Sequence, residues 1–337
     1  MSALKIALIN TFYPPFNFGG DGVYVRRMAH ALARLGCEVH VLHDTETYKA
    51  LAPKQRGSLR PLEEPPGVTV HRLESPIGVA AALVTHQTGR PLAHGRALNE
   101  FFSSQFDITH FHNVSAVGGP GILSRGSGVR LYTAHEHWLV CPTHILWRYD
   151  REICDGRRCF SCQISYRRPP QLWRLTGLLQ KQAAHIDAFI ALSQSSADNH
   201  RRFGFNREMI VLPSFLPEID EQGSDPGLQE RPYLLFVGRL EKLKGLQDVI
   251  PAIRECQQLD LVIIGDGDYA DTLKASASGA RNIKFLGSRP SEELSAYYRN
   301  ATAVVLPSVC HEVVPLVALE AFGAGAPIIA GNLGPFP

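Results

Sequence analysis

The sequence predicts an α/β protein of two tandem doubly wound parallel-sheet domains, and three observations carry that reading. Short apolar runs alternate with amphipathic stretches along the whole chain, which is the rhythm of βαβ units. The rhythm breaks at 213–231, where Pro213, Pro217, Gly223, Pro226 and Gly227 stand among acidic residues. At 337 residues the chain is long enough for two separate cores. The expected layout is a first domain over 1–213, a linker over 214–231 and a second domain over 232–337, both Rossmann-like, with a cleft between them.

The first domain's strands are expected at 5–10, 38–42, 68–73, 108–111, 130–134, 187–192 and 209–212. Between the first two, 23–35 reads as a helix: Val23, Met28, Ala31, Leu32 and Leu35 fall at helical spacing, and Gly36 suits the C-terminal cap. The alternation restarts with strands at 234–237, 259–264, 283–286, 303–306 and 327–330. Helices near 246–256, 269–277, 291–300 and 316–322 separate them. Ligands of such sheets bind at the carboxyl ends of the strands, so the motifs there matter most.

Composition is that of a soluble globular chain, 45% hydrophobic and 20% charged. The start, Met1-Ser2-Ala3-Leu4-Lys5, lacks a signal peptide's basic region and long apolar run, and no stretch reaches the roughly 18 apolar residues of a membrane span. A cytoplasmic location is expected. The net charge of +2 is unevenly spread: residues 1–213 carry +8 and residues 214–337 carry −6. The basic half suits an anionic acceptor or peripheral contact with an anionic membrane at its inner face. A nucleic-acid partner is not expected.

Two motifs define a binding site in the second domain. In Phe236-Val237-Gly238-Arg239-Leu240-Glu241-Lys242-Leu243-Lys244-Gly245, a strand end leads into a turn and a helix. Gly238 permits the turn, and Arg239 and Lys244 converge on the strand end in a way that suits a diphosphate. In Pro307-Ser308-Val309-Cys310-His311-Glu312-Val313-Val314-Pro315, Pro315 fits the first helical position. Glu312 then lies in the loop and Glu320 in the second helical turn. The helix start, with amides at Leu316 and Val317, favours an anion, and the two carboxylates can accept hydrogen bonds from sugar and ribose hydroxyls.

These motifs, with Gly265-Asp266-Gly267, Phe285-Leu286-Gly287, Gly19-Gly20 after the first strand and His135 after the strand 130–134, resemble the retaining GT-B glycosyltransferases of family 4, the group 1 glycosyl transferases. The resemblance implies a hexosyltransferase-like enzyme that uses a nucleotide-diphosphate sugar linked to UDP, GDP or ADP. Its acceptor would be a glycan or lipid-linked hydroxyl in polysaccharide, glycolipid or other glycoconjugate synthesis. It implies that Arg239 and Lys244 neutralise the diphosphate, Glu320 takes the ribose and Glu312 a hydroxyl of the transferred sugar. Gly265, Gly267, Phe285 and Leu286 would border base and ribose. Gly19 and Gly20 would approach the distal phosphate, and His135 would hold a donor-sugar hydroxyl. His112 has a similar address and ranks second, toward the acceptor. No catalytic metal is expected, because two cations and a helix start cover the diphosphate. The sequence departs from the family at Val313-Val314, where a glycine-containing pair is usual, and in stopping at Pro337, so the second domain is expected to be shortened.

One segment lies outside this pattern. An insertion over 139–165 holds Cys141, Cys154, Cys159 and Cys162, which could close a structural zinc site or, on ligand type alone, an iron–sulfur cluster. The following Arg167, Arg168 and Arg174, mixed with Tyr166 and Trp173, could face an anionic acceptor. Rival readings are a sugar-nucleotide epimerase on the same fold and a non-catalytic nucleotide-sugar binder. A dinucleotide oxidoreductase is disfavoured because neither Asn10 nor Ile264 is followed by Gly-x-Gly-x-x-Gly.

Overall fold

The structure is a computed structural model that describes residues 3–52, 59, 62–156, 158–216 and 231–337. Most of the expected linker, 217–230, lies outside the described residues. The chain divides into two compact units, Met1–Ile145 with Asp155–Pro213, and Leu146–Cys154 with Ser214–Pro337.

The first unit is built on a sheet of seven strands: β1 (Lys5–Ile9), β2 (Glu38–Asp44), β3 (Val68–Leu73), β4 (Ile108–Phe111), β5 (Val129–Ala134), β8 (Ala188–Ala191) and β9 (Met209–Val211). The order β3-β2-β1-β4-β5-β8-β9 is parallel throughout. Runs such as Ile6–Ile9 are buried because a parallel sheet is covered on both faces, which is why they read as continuous apolar stretches. Ile9, Leu98, Phe111, Trp138 and Phe189 belong to one core. The missing numbers, β6 (Trp147–Arg148) and β7 (Glu152–Ile153), form a two-stranded antiparallel hairpin that groups with the second unit.

The helix expected at 23–35 runs instead over Gly20–Arg34. Its extra turn is glycine-rich, which lowers local propensity, but packing overrides propensity here. A Cβ at Gly22 would lie 3.0 Å from Asn17 Cβ and 3.1 Å from the Phe12 carbonyl, so the helix start is pressed against the loop that precedes it.

The second unit carries five parallel strands, β10 (Tyr233–Val237), β11 (Asp260–Ile264), β12 (Ile283–Phe285), β13 (Ala303–Leu306) and β14 (Ile328–Ala330), in the order β12-β11-β10-β13-β14. Strand β11 shows how they are buried: Leu261 and Ile263 join the core on one face with Ile250, while Val262 and Ile264 join the other with Leu235 and Ala321. Helices Leu246–Glu255, Ala270–Ser276, Ser291–Asn300 and Leu316–Gly323 stand close to their expected places.

The fold is thus two doubly wound α/β sheets, as predicted. In each, the strand order reverses once, between β1 and β4 and between β10 and β13. At such a switch point neighbouring loops leave in opposite directions and open a crevice at the carboxyl ends of the strands. Among the described residues no helix is long and apolar enough to cross a membrane.

Candidate functional site

In the second unit the loops after β10 to β13 are stapled into one platform at the switch point. Gly238 N donates to Ile264 O at 3.0 Å, Leu240 N to Asp266 O at 2.9 Å, Gly265 N to Gly287 O at 2.9 Å and Val309 N to Leu243 O at 3.0 Å. Such close approach needs glycine. Gly245 sits at φ +77°, and a Cβ there would fall 1.9 Å from the Pro307 carbonyl oxygen; one at Gly265, φ +139°, would fall 1.8 Å from that of Gly238. Gly267 shares the loop after β11, while Phe285 ends β12 with Leu286 next to it.

The platform holds a cation and a carboxylate against each other. Lys244 Nζ lies 2.5 Å from Glu312 Oε1, which also accepts from Ser308 Oγ at 2.7 Å. The two side chains are only 21% and 17% exposed. Burial disfavours both charges, but the Glu312 carboxylate outweighs it and holds Lys244 above its ordinary pKa. Glu312 is likewise held below its usual range, burial being opposed by Lys244, the Ser308 hydroxyl and Arg239. Both are therefore charged at neutral pH. Arg239 is more open and pairs with Glu241 Oε1 at 2.5 Å. Pro315 is the N-cap rather than the first helical residue, its extended ψ of 120° leaving Leu316 and Val317 to open the helix. One turn on, Glu320 Oε2 accepts from Tyr298 Oη at 2.9 Å.

The first unit gathers a second group at its own switch point. Gly19 caps the helix after β1, and the chain continues through Gly20 to Asp21. Asn113, just past β4, donates from its backbone to Asn10 Oδ1 at 2.8 Å and from Nδ2 to Asp21 Oδ2 at 3.3 Å. Burial, and then the nearby Glu136, push the Asp21 carboxyl up to about 6. His112 follows β4 and His135 follows β5; their Nδ1 and Nε2 atoms are 2.9 Å apart. The Tyr24 ring meets His135 edge-on at 4.8 Å. Burial, and then His110, pull His135 down to about 3, so its imidazole is neutral at physiological pH. His112, read from sequence as facing an acceptor, is fully buried beneath His135, and its Nε2 has no hydrogen-bond partner.

The four-cysteine metal site is not assembled. Among the described residues no group of three or more His, Cys, Asp or Glu is placed to hold a metal ion, and none of the seven cysteines forms a disulfide. Cys141 Sγ is instead 3.3 Å from Thr143 Oγ1, and Cys159 opens the helix Cys159–Ser165. The polar segment is ordered by other means. Gln163 Oε1 accepts from Gln171 N at 3.0 Å, and the Arg174 guanidinium lies over both Trp138 and Trp173, 5.4 and 4.7 Å from their ring centres. Arg174 therefore points inward, whereas Arg167 and Arg168 are exposed.

Sequence comparison bears on both halves. Residues 18–216 match the model of Glycosyltransferase Family 4, and residues 218–337 match that of Glycosyl transferases group 1. The chain belongs to glycosyltransferase family 4. It is a retaining, nucleotide-sugar-dependent glycosyltransferase of the GT-B fold. Among its relatives are a D-inositol 3-phosphate glycosyltransferase of Pseudarthrobacter chlorophenolicus, 28% identical over 98% of this chain and 79% of that protein, and a glycogen synthase of Mycobacterium tuberculosis, 40% identical over 98% and 78%. The crystal structure of Anabaena HepE in complex with UDP-glucose shares the fold, with a TM-score of 0.63 at 17% identity, over 98% of this chain and 81% of that one.

Sequence reasoning passed over Asp21, Asn113, Tyr298 and Ser308. Ser308 stands inside a quoted motif and Asp21 directly follows Gly19-Gly20, so adjacency was the available signal; the other two meet their partners only through the fold.

Proposed function

We propose that this family 4 glycosyltransferase holds its donor diphosphate at the platform formed by Arg239, Lys244 and the start of the helix Leu316–Gly323. UDP is the preferred nucleotide and a glycan or lipid-linked hydroxyl the acceptor. The observation that carries this is the Lys244–Glu312 pair at the carboxyl ends of β10 and β13. An ammonium group has three donors, so Lys244 can keep Glu312 and still reach a phosphate oxygen. Glu312 has a second carboxylate oxygen for a sugar hydroxyl. Tyr298 fixes Glu320 in the orientation that serves the ribose. The preference for uracil rests on the shared fold of HepE, which was solved with UDP-glucose.

On the sugar side, His112 supports a definite role for His135. The His112 Nε2 is buried with no acceptor, so a proton placed there would be an orphaned donor. The proton belongs on His112 Nδ1, donated to His135 Nε2, which leaves His135 with Nδ1–H to offer a sugar oxygen. The Gly19-Gly20 turn serves the distal phosphate. In the reaction the bond from the anomeric carbon to the diphosphate oxygen breaks, and the acceptor oxygen bonds to the same face. Its proton passes to the leaving phosphate. The protein supplies position and charge stabilisation.

Arg239→Ala should reduce turnover of UDP-glucose by roughly 10²–10³, the usual loss for one donor to developing transition-state charge. Turnover within a factor of three of wild type, measured with radiolabelled donor and an acceptor panel, would remove Arg239 from the site.

A further inference from the structure

We infer that the arginine-rich stretch formed by the end of the insertion and the turn after it is a docking surface for an anionic lipid bilayer. From residue 156 to residue 186 the sequence holds no Asp or Glu and six Arg or Lys. The same segment turns large apolar side chains outward: Phe160 is 61% exposed, Ile164 54%, Leu172 59% and Leu175 85%. Their spacing is ordered. Phe160 and Ile164 are four apart on the helix Cys159–Ser165 and share a face. Leu172 and Leu175 are three apart on the 3-10 turn Leu172–Leu175, where such positions eclipse.

The apolar groups are held outward by a firm mount. Gln163 Nε2 donates to Cys159 O at 3.1 Å and its Oε1 accepts from Gln171 N at 3.0 Å, which ties the helix to the turn. The Gln163 carbonyl takes Arg168 N at 2.9 Å. Arg174 donates to Trp138 O at 2.8 Å and Trp173 Nε1 to His86 O at 2.9 Å, which anchors the turn to the unit. Leu178 and Leu179, next along the chain, join the main core. The segment thus buries Trp173, Leu178 and Leu179 and exposes Leu172 and Leu175.

A stretch that combines exposed apolar side chains with basic groups and has no acidic residue of its own matches the interface of a bilayer rich in anionic lipid: aliphatic and aromatic tips enter the acyl boundary while guanidinium groups stay among the headgroup phosphates. Arg167 and Arg168 are exposed for that purpose. This inference stands apart from the transferase reading, and its test contains no sugar nucleotide.

The test is co-sedimentation of the full chain with vesicles of phosphatidylcholine alone and of phosphatidylcholine with phosphatidylglycerol at about 7:3. The expected result is binding to the anionic vesicles, at least about tenfold weaker binding to the neutral ones, and loss at high salt. Arg167→Gln with Arg168→Gln, and separately Ile164→Ser with Leu175→Ser, should each weaken partition about tenfold. Leu35→Ser, an exposed leucine beyond the helix Gly20–Arg34, should leave it unchanged. All these side chains are exposed, and an unaltered thermal transition confirms that each variant folds. The inference fails if wild type ignores anionic vesicles, or if both double variants bind as wild type does. It also fails if Ile164→Ser with Leu175→Ser abolishes a self-association seen by sedimentation velocity, since the face would then join two copies.

Discussion

Asp21 occupies the first turn of its helix with a carboxyl held at about 6 by burial and by Glu136. An acid whose pKa is higher in the folded chain than in the unfolded one binds its proton more tightly when folded. Its stabilisation is complete below an unfolded pKa of about 4 and is lost as pH rises through 6. Asp21→Asn removes the titration, so variant and wild type should be of similar stability near pH 4. At pH 7.5 the variant should gain on the order of 2 kcal/mol, a value discounted for partial exposure. Urea unfolding at the two pH values measures the difference, and a gap that does not change with pH would show that Asp21 does not titrate in this range. The neighbouring His135 is neutral in the folded chain across this window and gains its proton only on unfolding, a pH dependence common to variant and wild type that cancels in their difference.

The loops after β10 and β13 form an element that tolerates no side chain where they meet. Gly245→Ala combines a left-handed backbone, costing about 1–2 kcal/mol, with a direct clash against the Pro307 carbonyl. Calorimetry should show the second unit destabilised by at least about 2 kcal/mol, with UDP binding lost at 25 °C; a variant that binds UDP with native affinity would show that the loops can separate. The same loops illustrate what the sequence discloses. Parallel strands are legible because each is a short local run that burial on two faces makes wholly apolar, and β10 to β14 are of this kind. Arg239, Lys244, Glu312 and Glu320 are legible because charged groups at strand ends and helix starts have few structural reasons to be there. Pairings are not legible: Lys244 meets Glu312 across 68 residues and His112 meets His135 across 23. The cluster of Trp138, Arg174 and Trp173 that orders the insertion joins residues 36 apart in sequence.

At the scale of the whole molecule, each unit has its own sheet and its own core. Two cores predict two thermal transitions. If the donor diphosphate binds the second unit alone, UDP at about a hundred times its dissociation constant should stabilise that transition by about 2.7 kcal/mol and leave the other in place. GDP and ADP at equal concentration should shift it less. A single transition that UDP moves as a whole would show that the units fold as one. Optical spectroscopy can follow these events selectively, because the three tryptophans, Trp138, Trp147 and Trp173, all lie in or beside the insertion. Neither parallel sheet contains one. Two of these indoles, their ring centres 6.1 Å apart, share the Arg174 guanidinium. Fluorescence excited beyond the tyrosine band therefore reports the mount of the insertion while the sheets stay dark, and the shared arginine makes the protein its own optical gauge of whether that mount is intact.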